Sequence, residues 1–352
     1  MRWDLFCRVI DNHGDLGVCW RLAADLGSRG ETVRLWVDDP LALAWMAPRG
    51  AFGVSVIRWV DPLPDFEPGD AVVEAFGCDP PPRFVARMAA MPMPPVWINL
   101  EYLSAEPYVD RSHGLLSPQQ HGPGAGLRKW FYYPGFTPES GGLLREARAL
   151  ESGAPQDLDW LAAHGVPLRA NERRVSLFAY ADAPLEGLFQ RLDQEPTLLL
   201  LAAGAAQAPA RALFDAQGRR GRHLRAHALP WFDQPGYDRL LRACNLNFAR
   251  GEDSIVRAMW AGVPFVWQIY AQAGAAHAVK LDALLKRLTT GASPVLAAAV
   301  RQLWRAWNGL ADWPEGLPEA PDWHALCQAW RQRLTDQGDL GSQLLRFVAT
   351  KR

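Results

Sequence analysis

The sequence predicts an α/β protein of two doubly wound, Rossmann-like domains that face each other across a central cleft. Three observations carry that prediction. The chain has 352 residues, more than one hydrophobic core ordinarily organises. Its first part alternates short β-like runs with helical ones. The same alternation restarts near Arg174, after a stretch rich in glycine, proline and charge.

In chain order, "LFCRVI" reads as the first strand, and "LGVCWRLAADLGSRG" follows with Cys19, Leu22, Ala23 and Leu26 at helical spacing and Gly30 closing the segment. "TVRLWV" completes a βαβ unit, and "GDAVVEAF" and "PPVWINL" extend a mostly parallel sheet. The aromatic run Trp130, Phe131, Tyr132, Tyr133 reads as inter-domain packing. From about Pro134 to Asn171 lies the expected inter-domain region, with a helical patch at "LLREARAL". "RRVSLFAY", "TLLLLAAG", "HLRAHALPW", "CNLNFA" and "VPFVWQIY" read as strands of the second sheet, with a helix beginning near Ser254. Asp322 to Ala349 is helical in pattern. The expected divisions are 1–153, 154–321 and a helical tail, 322–352, that packs back on the first domain.

Composition excludes several classes. An apolar fraction of 49% with 21% charged residues is globular, and no window has the apolar length of a membrane span. The amino terminus "MRWDLFC" enters a strand without signal-peptide order, which predicts a cytoplasmic protein without a membrane partner. A net charge of −1 gives no reason to expect nucleic acid. Five scattered cysteines without a C-x-x-C pair argue against a disulfide framework and against zinc, and no metal is expected. There is no G-x-G-x-x-G, so a nicotinamide cofactor is not expected either.

Two stretches carry chemistry. "DNHGDLG" places Asp11 and Asp15 beyond the first strand, where ligands of open α/β sheets bind. Aspartates there also cap helices and make turns, the alternative role for this pair. "NFARGEDSIVRAMWAGVPFVWQ" reads as strand, glycine turn, helix, glycine stop and strand, with Asp253 or Ser254 as the cap. The free N–H groups of such a helix start seat a pyrophosphate, and Arg250 and Glu252 add charge beyond what capping needs.

This layout resembles the GT-B class of sugar-nucleotide glycosyltransferases. More narrowly, "IDNHGDLGVCWRLA", "WINLEYLSAE", "YYPGF", "LFAY" and "ARGEDSIVRAMWAGVPFVWQIY", in that order, resemble the EarP family of protein-arginine rhamnosyltransferases, which modify elongation factor P. The resemblance spans essentially the whole chain. It implies transfer of L-rhamnose from dTDP-β-L-rhamnose to an arginine of elongation factor P, with inversion and without metal or cofactor. It makes 1–153 the acceptor-binding and 154–321 the nucleotide-sugar-binding domain. The family's carboxylates match Asp11, Asp15 and Glu252, and its nucleotide contacts fall on Phe178, Tyr180, Gln234, Arg250, Gly251, Asp253 and Ser254. The family's base-stacking phenylalanine has its nearest match at Trp231, with Phe232 beside it, which leaves both rings as candidates to stack on the base, and Gln268 and Tyr270 complete the donor set that the resemblance implies.

A guanidinium is a poor nucleophile at neutral pH, so transfer needs a carboxylate that orients it and accepts its proton; Asp15 is the choice, with Asp11 either on the other side of the planar fork or positioning Asp15. Glu252 fits sugar or ribose hydroxyls better than a base. Glu101 and Tyr102 are acceptor-cleft candidates or ordinary strand-end packing, while His13 and His277 read as a loop filler and a solvent-facing helix residue. The same fold would also suit a sugar-nucleotide epimerase or a small-molecule transferase. A non-catalytic nucleotide-sugar-binding regulator would have no need of Asp11 with Asp15.

Overall fold

The computed structural model describes residues 1–10, 13–64, 66–151, 155–216, 223–270 and 276–352. The chain forms two compact units, Met1–Ala147 with Leu334–Arg352, and Arg148–Arg333. The chain thus re-enters the first unit at Leu334, inside the helix Ala320–Thr335, rather than at 322.

The first unit holds a sheet of β1 (Arg2–Cys7), β2 (Thr32–Val37), β3 (Val54–Arg58), β4 (Ala71–Ala75), β5 (Val96–Leu100), β6 (Leu116–Pro118) and β7 (Arg128–Tyr132). Their order is β3-β2-β1-β4-β5-β7-β6, parallel except for the β6–β7 pair. The second unit holds β8 (Arg173–Leu177), β9 (Thr197–Leu201), β10 (Leu224–Ala228), β11 (Leu246–Arg250) and β12 (Phe265–Gln268), all parallel, in the order β10-β9-β8-β11-β12. Strand order reverses between β1 and β4 in one sheet and between β8 and β11 in the other. Those switch points leave crevices at the carboxyl ends of their strands, where ligands of doubly wound sheets bind.

The apolar runs form buried strands because helices cover both faces of a parallel sheet. β9, "TLLLL", is buried throughout. The helix Gly14–Ser28 buries Leu16, Cys19, Leu22, Ala23 and Leu26, and Gly30 at φ 88° ends the turn after it. The last helix, Leu340–Lys351, starts on the side chain of Asp339, which accepts the Ser342 N–H at 2.8 Å, and sends Leu340, Leu344 and Val348 into the first unit's core.

Three local readings change. β1 ends at Cys7 because its partner β2 ends at Val37; the Val9 N–H goes to the Asp38 carboxylate at 3.0 Å, leaving Arg8–Ile10 to the loop. "LLREARAL" is not helical: Leu143 and Leu144 are buried, the Leu143 carbonyl accepts the Leu340 N–H at 2.9 Å, and Arg145 donates to the Thr335 carbonyl at 2.7 Å. The run Trp130–Tyr133, expected to pack between domains, belongs largely to β7, and Trp130 and Tyr132 pack within the first unit, the Tyr132 ring 5.3 Å from that of Phe347. Among the described residues no helix is long and apolar enough to cross a membrane, and all five cysteines are buried free thiols.

His113 closes this packing. Its ring lies 4.5 Å from Tyr132, and its Nδ1 accepts the Tyr133 N–H at 3.1 Å, a role that requires an unprotonated nitrogen. Burial lowers its pKa below the ordinary histidine value, so its contribution to stability is complete above about pH 6.5 and is lost as pH falls through that value. His113→Asn, which offers an acceptor oxygen and does not titrate there, is expected to flatten the loss of stability between about pH 7 and 5, as read from urea unfolding of both proteins.

Candidate active site

In the second unit the site grows from β11. The strand ends at Arg250, Gly251 turns the chain at φ 68°, and the helix Gly251–Ala261 begins there and stops on Gly262 at φ 69°. Both glycines occupy the left-handed region that side chains disfavour. Arg250 stands in the cap position, so neither Asp253 nor Ser254 is the cap. Ser254 Oγ instead accepts the Arg250 N–H at 3.1 Å and donates to the Arg250 carbonyl, locking strand end to helix start.

The Arg250 side chain is 6% exposed, and its guanidinium carbon lies 4.6 Å from the Phe178 ring centroid and 4.7 Å from that of Tyr180. Both rings follow β8, across the switch point. A cation on two aromatic faces at a helix amino terminus is a fixed positive centre suited to a diphosphate. In the helix's first turn, Glu252 accepts from Lys280 Nζ at 2.9 Å, and Asp253 lies 3.9 Å from Arg257.

A cavity of about 390 Å³ opens beside these residues, lined in part by Tyr180, Asp182, Gln268, Tyr270, His277 and Asn308. Gln268, at the end of β12, is buried and its Oε1 accepts the Tyr180 N–H at 2.8 Å. The Asn308 side chain takes the Ile269 N–H at 2.9 Å and donates to the Trp267 and Trp304 carbonyls at 2.7 and 2.8 Å. Beyond β10, Trp231 is 48% exposed, whereas the Phe232 ring packs on Trp160 and His164 at 4.8 and 5.4 Å. Gln234 is buried at the start of the helix Gln234–Ala243, which Asp233 caps through the Gly236 N–H at 2.8 Å.

In the first unit, Asp15 is 4% exposed at the second position of the helix Gly14–Ser28. It is not the helix cap, a position held by His13. Its Oδ2 accepts the Ile10 N–H at 3.0 Å, across the loop, and the amino-terminal dipole favours its negative charge. His13 fills the loop against Trp45, ring to ring at 5.4 Å. Asp11 lies outside the described residues. Two strands along the sheet, Glu101 accepts from Asn99 Nδ2 at 2.8 Å, and burial raises its pKa above the usual carboxylate value. Tyr102 stacks on Phe76, centroids 4.4 Å apart. Asp15, Glu101 and Tyr102 thus lie beyond the carboxyl ends of β1 and β5 in the first sheet, and Phe178, Tyr180, Arg250, Glu252 and Gln268 gather at the carboxyl ends of β8, β11 and β12 in the second.

A family model described as Elongation-Factor P (EF-P) rhamnosyltransferase EarP matches residues 3–349. The chain belongs to that family. A protein-arginine rhamnosyltransferase of Pseudomonas aeruginosa is 41% identical over 99% of this chain and 98% of its own length. A solved structure described as the structural basis for EarP-mediated arginine glycosylation of translation elongation factor EF-P is 30% identical, covers 100% of this chain and 99% of that one, and superposes with a TM-score of 0.65. The spinosyn rhamnosyltransferase SpnG, 13% identical with a TM-score of 0.55 over 99% of this chain and all of its own, shares the fold alone. The fold is that of the GT-B glycosyltransferases, and family membership makes the chain an enzyme, a protein-arginine rhamnosyltransferase.

Asp182 and Asn308 carry no local signature and are absent from the sequence reading, which gave Lys280 no role; His277, expected to face solvent, lines the cavity. Asn308 holds β12's end by satisfying backbone groups that burial would otherwise strand, each costing about 1–3 kcal/mol when unpaired. Asn308→Ala is expected to lower unfolding stability by about 2–4 kcal/mol, measured as a drop in the urea midpoint at unchanged m value.

Proposed function

We propose that this enzyme transfers L-rhamnose from dTDP-β-L-rhamnose to an arginine of elongation factor P in the cytoplasm, with inversion at the anomeric carbon and without a metal. The observation that carries the donor half is Arg250, a cation set against two rings at the start of the helix Gly251–Ala261. The diphosphate lies at that helix terminus beside Arg250, and the base stacks on Trp231, since Phe232 already packs inside its unit. Gln234 and Asp253 contact the nucleoside side of the donor, and Glu252, steadied by Lys280, binds sugar or ribose hydroxyls. The cavity beside Gln268 and Tyr270 receives the sugar.

The acceptor guanidinium lies against Asp15, with Glu101 and Tyr102 at the same end of the sheet; Asp11, outside the described residues, is the second carboxylate that the sequence offers it. One guanidinium nitrogen attacks the anomeric carbon from the face opposite the diphosphate. The new C–N bond forms as the C–O bond to the β-phosphate breaks, its electron pair leaving with dTDP. The proton released from nitrogen passes to Asp15. Arg250 and the helix amino terminus offset the charge that develops on the departing oxygen.

Intact mass of elongation factor P incubated with the enzyme and dTDP-L-rhamnose is expected to rise by one deoxyhexosyl group; no change in mass would refute the reading. Asp15→Asn keeps shape and removes charge, so dTDP affinity is expected to hold while turnover falls by about two to four orders of magnitude. Near wild-type turnover would leave Asp15 a structural residue. Arg250→Ala is expected to weaken dTDP binding about ten- to a hundredfold in calorimetry, and EDTA to leave wild-type binding and transfer unchanged.

A further inference from the structure

The charge of a carboxylate alone does not tell arginine from lysine, because both side chains carry one positive charge. A planar apolar surface does: a guanidinium is flat and weakly hydrated on its faces, and it stacks on aromatic rings, whereas an ammonium is compact and strongly hydrated. The carboxyl end of the first sheet carries such a surface.

Phe76, the residue after β4, has φ 58°, in the left-handed region where a bulky side chain is an outlier. The conformation is held from both sides. The Phe76 N–H donates to the Leu100 carbonyl at 2.7 Å, and the Cys78 thiol beyond it donates to the Phe6 carbonyl at 3.3 Å. Backbone strain of this kind persists where the surroundings impose it, and it concentrates at functional sites. Its effect here is to lay the Phe76 ring on the Tyr102 ring, centroids 4.4 Å apart and planes 15° from parallel. Tyr102 itself is 39% exposed. β4 is the neighbour of β1, so the stack stands beside the strand end that leads to Asp15, at the switch point of the sheet.

We infer that the Phe76–Tyr102 stack is the face on which the acceptor arginine's guanidinium lies, and that these rings make the enzyme selective for arginine over lysine. The inference rests on the proposed acceptor reading. Phe76 is the positioning residue and Tyr102 the contacting one.

Steady-state kinetics with elongation factor P at saturating dTDP-L-rhamnose test it. Tyr102→Leu is expected to raise the KM for elongation factor P about tenfold or more, the size of a lost cation–π contact, with dTDP affinity unchanged. Tyr102→Phe is expected to restore most of that loss. Phe76→Gly, whose backbone suits φ 58° and so keeps the loop's path, is expected to raise KM as Tyr102→Leu does. The deciding readout is elongation factor P with its acceptor arginine changed to lysine, used as an inhibitor. Its inhibition constant should be the same for wild type and Tyr102→Leu, because an ammonium gains little from the rings. An unchanged KM in Tyr102→Leu, or an inhibition constant that rises in parallel with KM, overturns the inference while the acceptor reading stands. A wild-type enzyme that leaves elongation factor P unmodified overturns both.

Discussion

Burying the Arg250 guanidinium constrains the second unit around it. A charge 6% exposed is costly unless its surroundings compensate it, and two aromatic faces do part of that here. The compensation has structural consequences. To bring Tyr180 onto Arg250, the segment after β8 must cross the switch point toward β11, and the Tyr180 N–H then reaches Gln268 Oε1 at the end of β12. β12 in turn needs its own end fixed, and Asn308 does this through three hydrogen bonds. One buried cation therefore ties together the ends of β8, β11 and β12 and shapes the cavity beside them.

The first unit solves a related problem with an anion. Asp15 is 4% exposed, and its negative charge is compensated by the helix amino terminus and by the Ile10 N–H. That bond fixes the loop from its far side while Asp38 holds the Val9 N–H from β2. Val9 and Ile10, beyond β1, are thus held by carboxylates from two sides, Asp38 after β2 and Asp15 on the helix.

Much of the fold was legible because its signals are local. Cys19, Leu22, Ala23 and Leu26 show their helix in the spacing, and "TVRLWV" is β2 residue for residue. The helix Gly251–Ala261 was legible for the same reason: strand, glycine turn, helix and glycine stop lie within one contiguous stretch, and Gly251 and Gly262 occupy the backbone conformations their identity implies. Its start was misplaced by three residues because a side-chain cap was sought where Arg250, with no capping side chain, begins the helix. Longer-range features left no such mark. Lys280 meets Glu252 from 28 residues away, and "LLREARAL" has helical periodicity that its tertiary bonds to the carboxyl-terminal segment override. Phe76 was invisible for the opposite reason, since phenylalanine is among the last residues a sequence reading would place at positive φ. The acceptor side was therefore read mainly from resemblance, the donor side from residues as well.

The two charged groups share one physical property that bears on rate. Moving a charge from water into a site during a reaction costs reorganisation, and the enzyme avoids that cost when the fold has already removed water and oriented the group. Arg250 and Asp15 are both buried, Arg250 against the Phe178 and Tyr180 rings and Asp15 accepting the Ile10 N–H, so folding itself bears the penalty. In the proposed transfer, Arg250 then brings a charge that does not have to be gathered as a diphosphate departs. A buried carboxylate such as Asp15 would act on a cationic acceptor with less screening than an exposed one. The strain held at Phe76 belongs to the same pattern, a conformational cost met when the chain folds and not each time a substrate arrives.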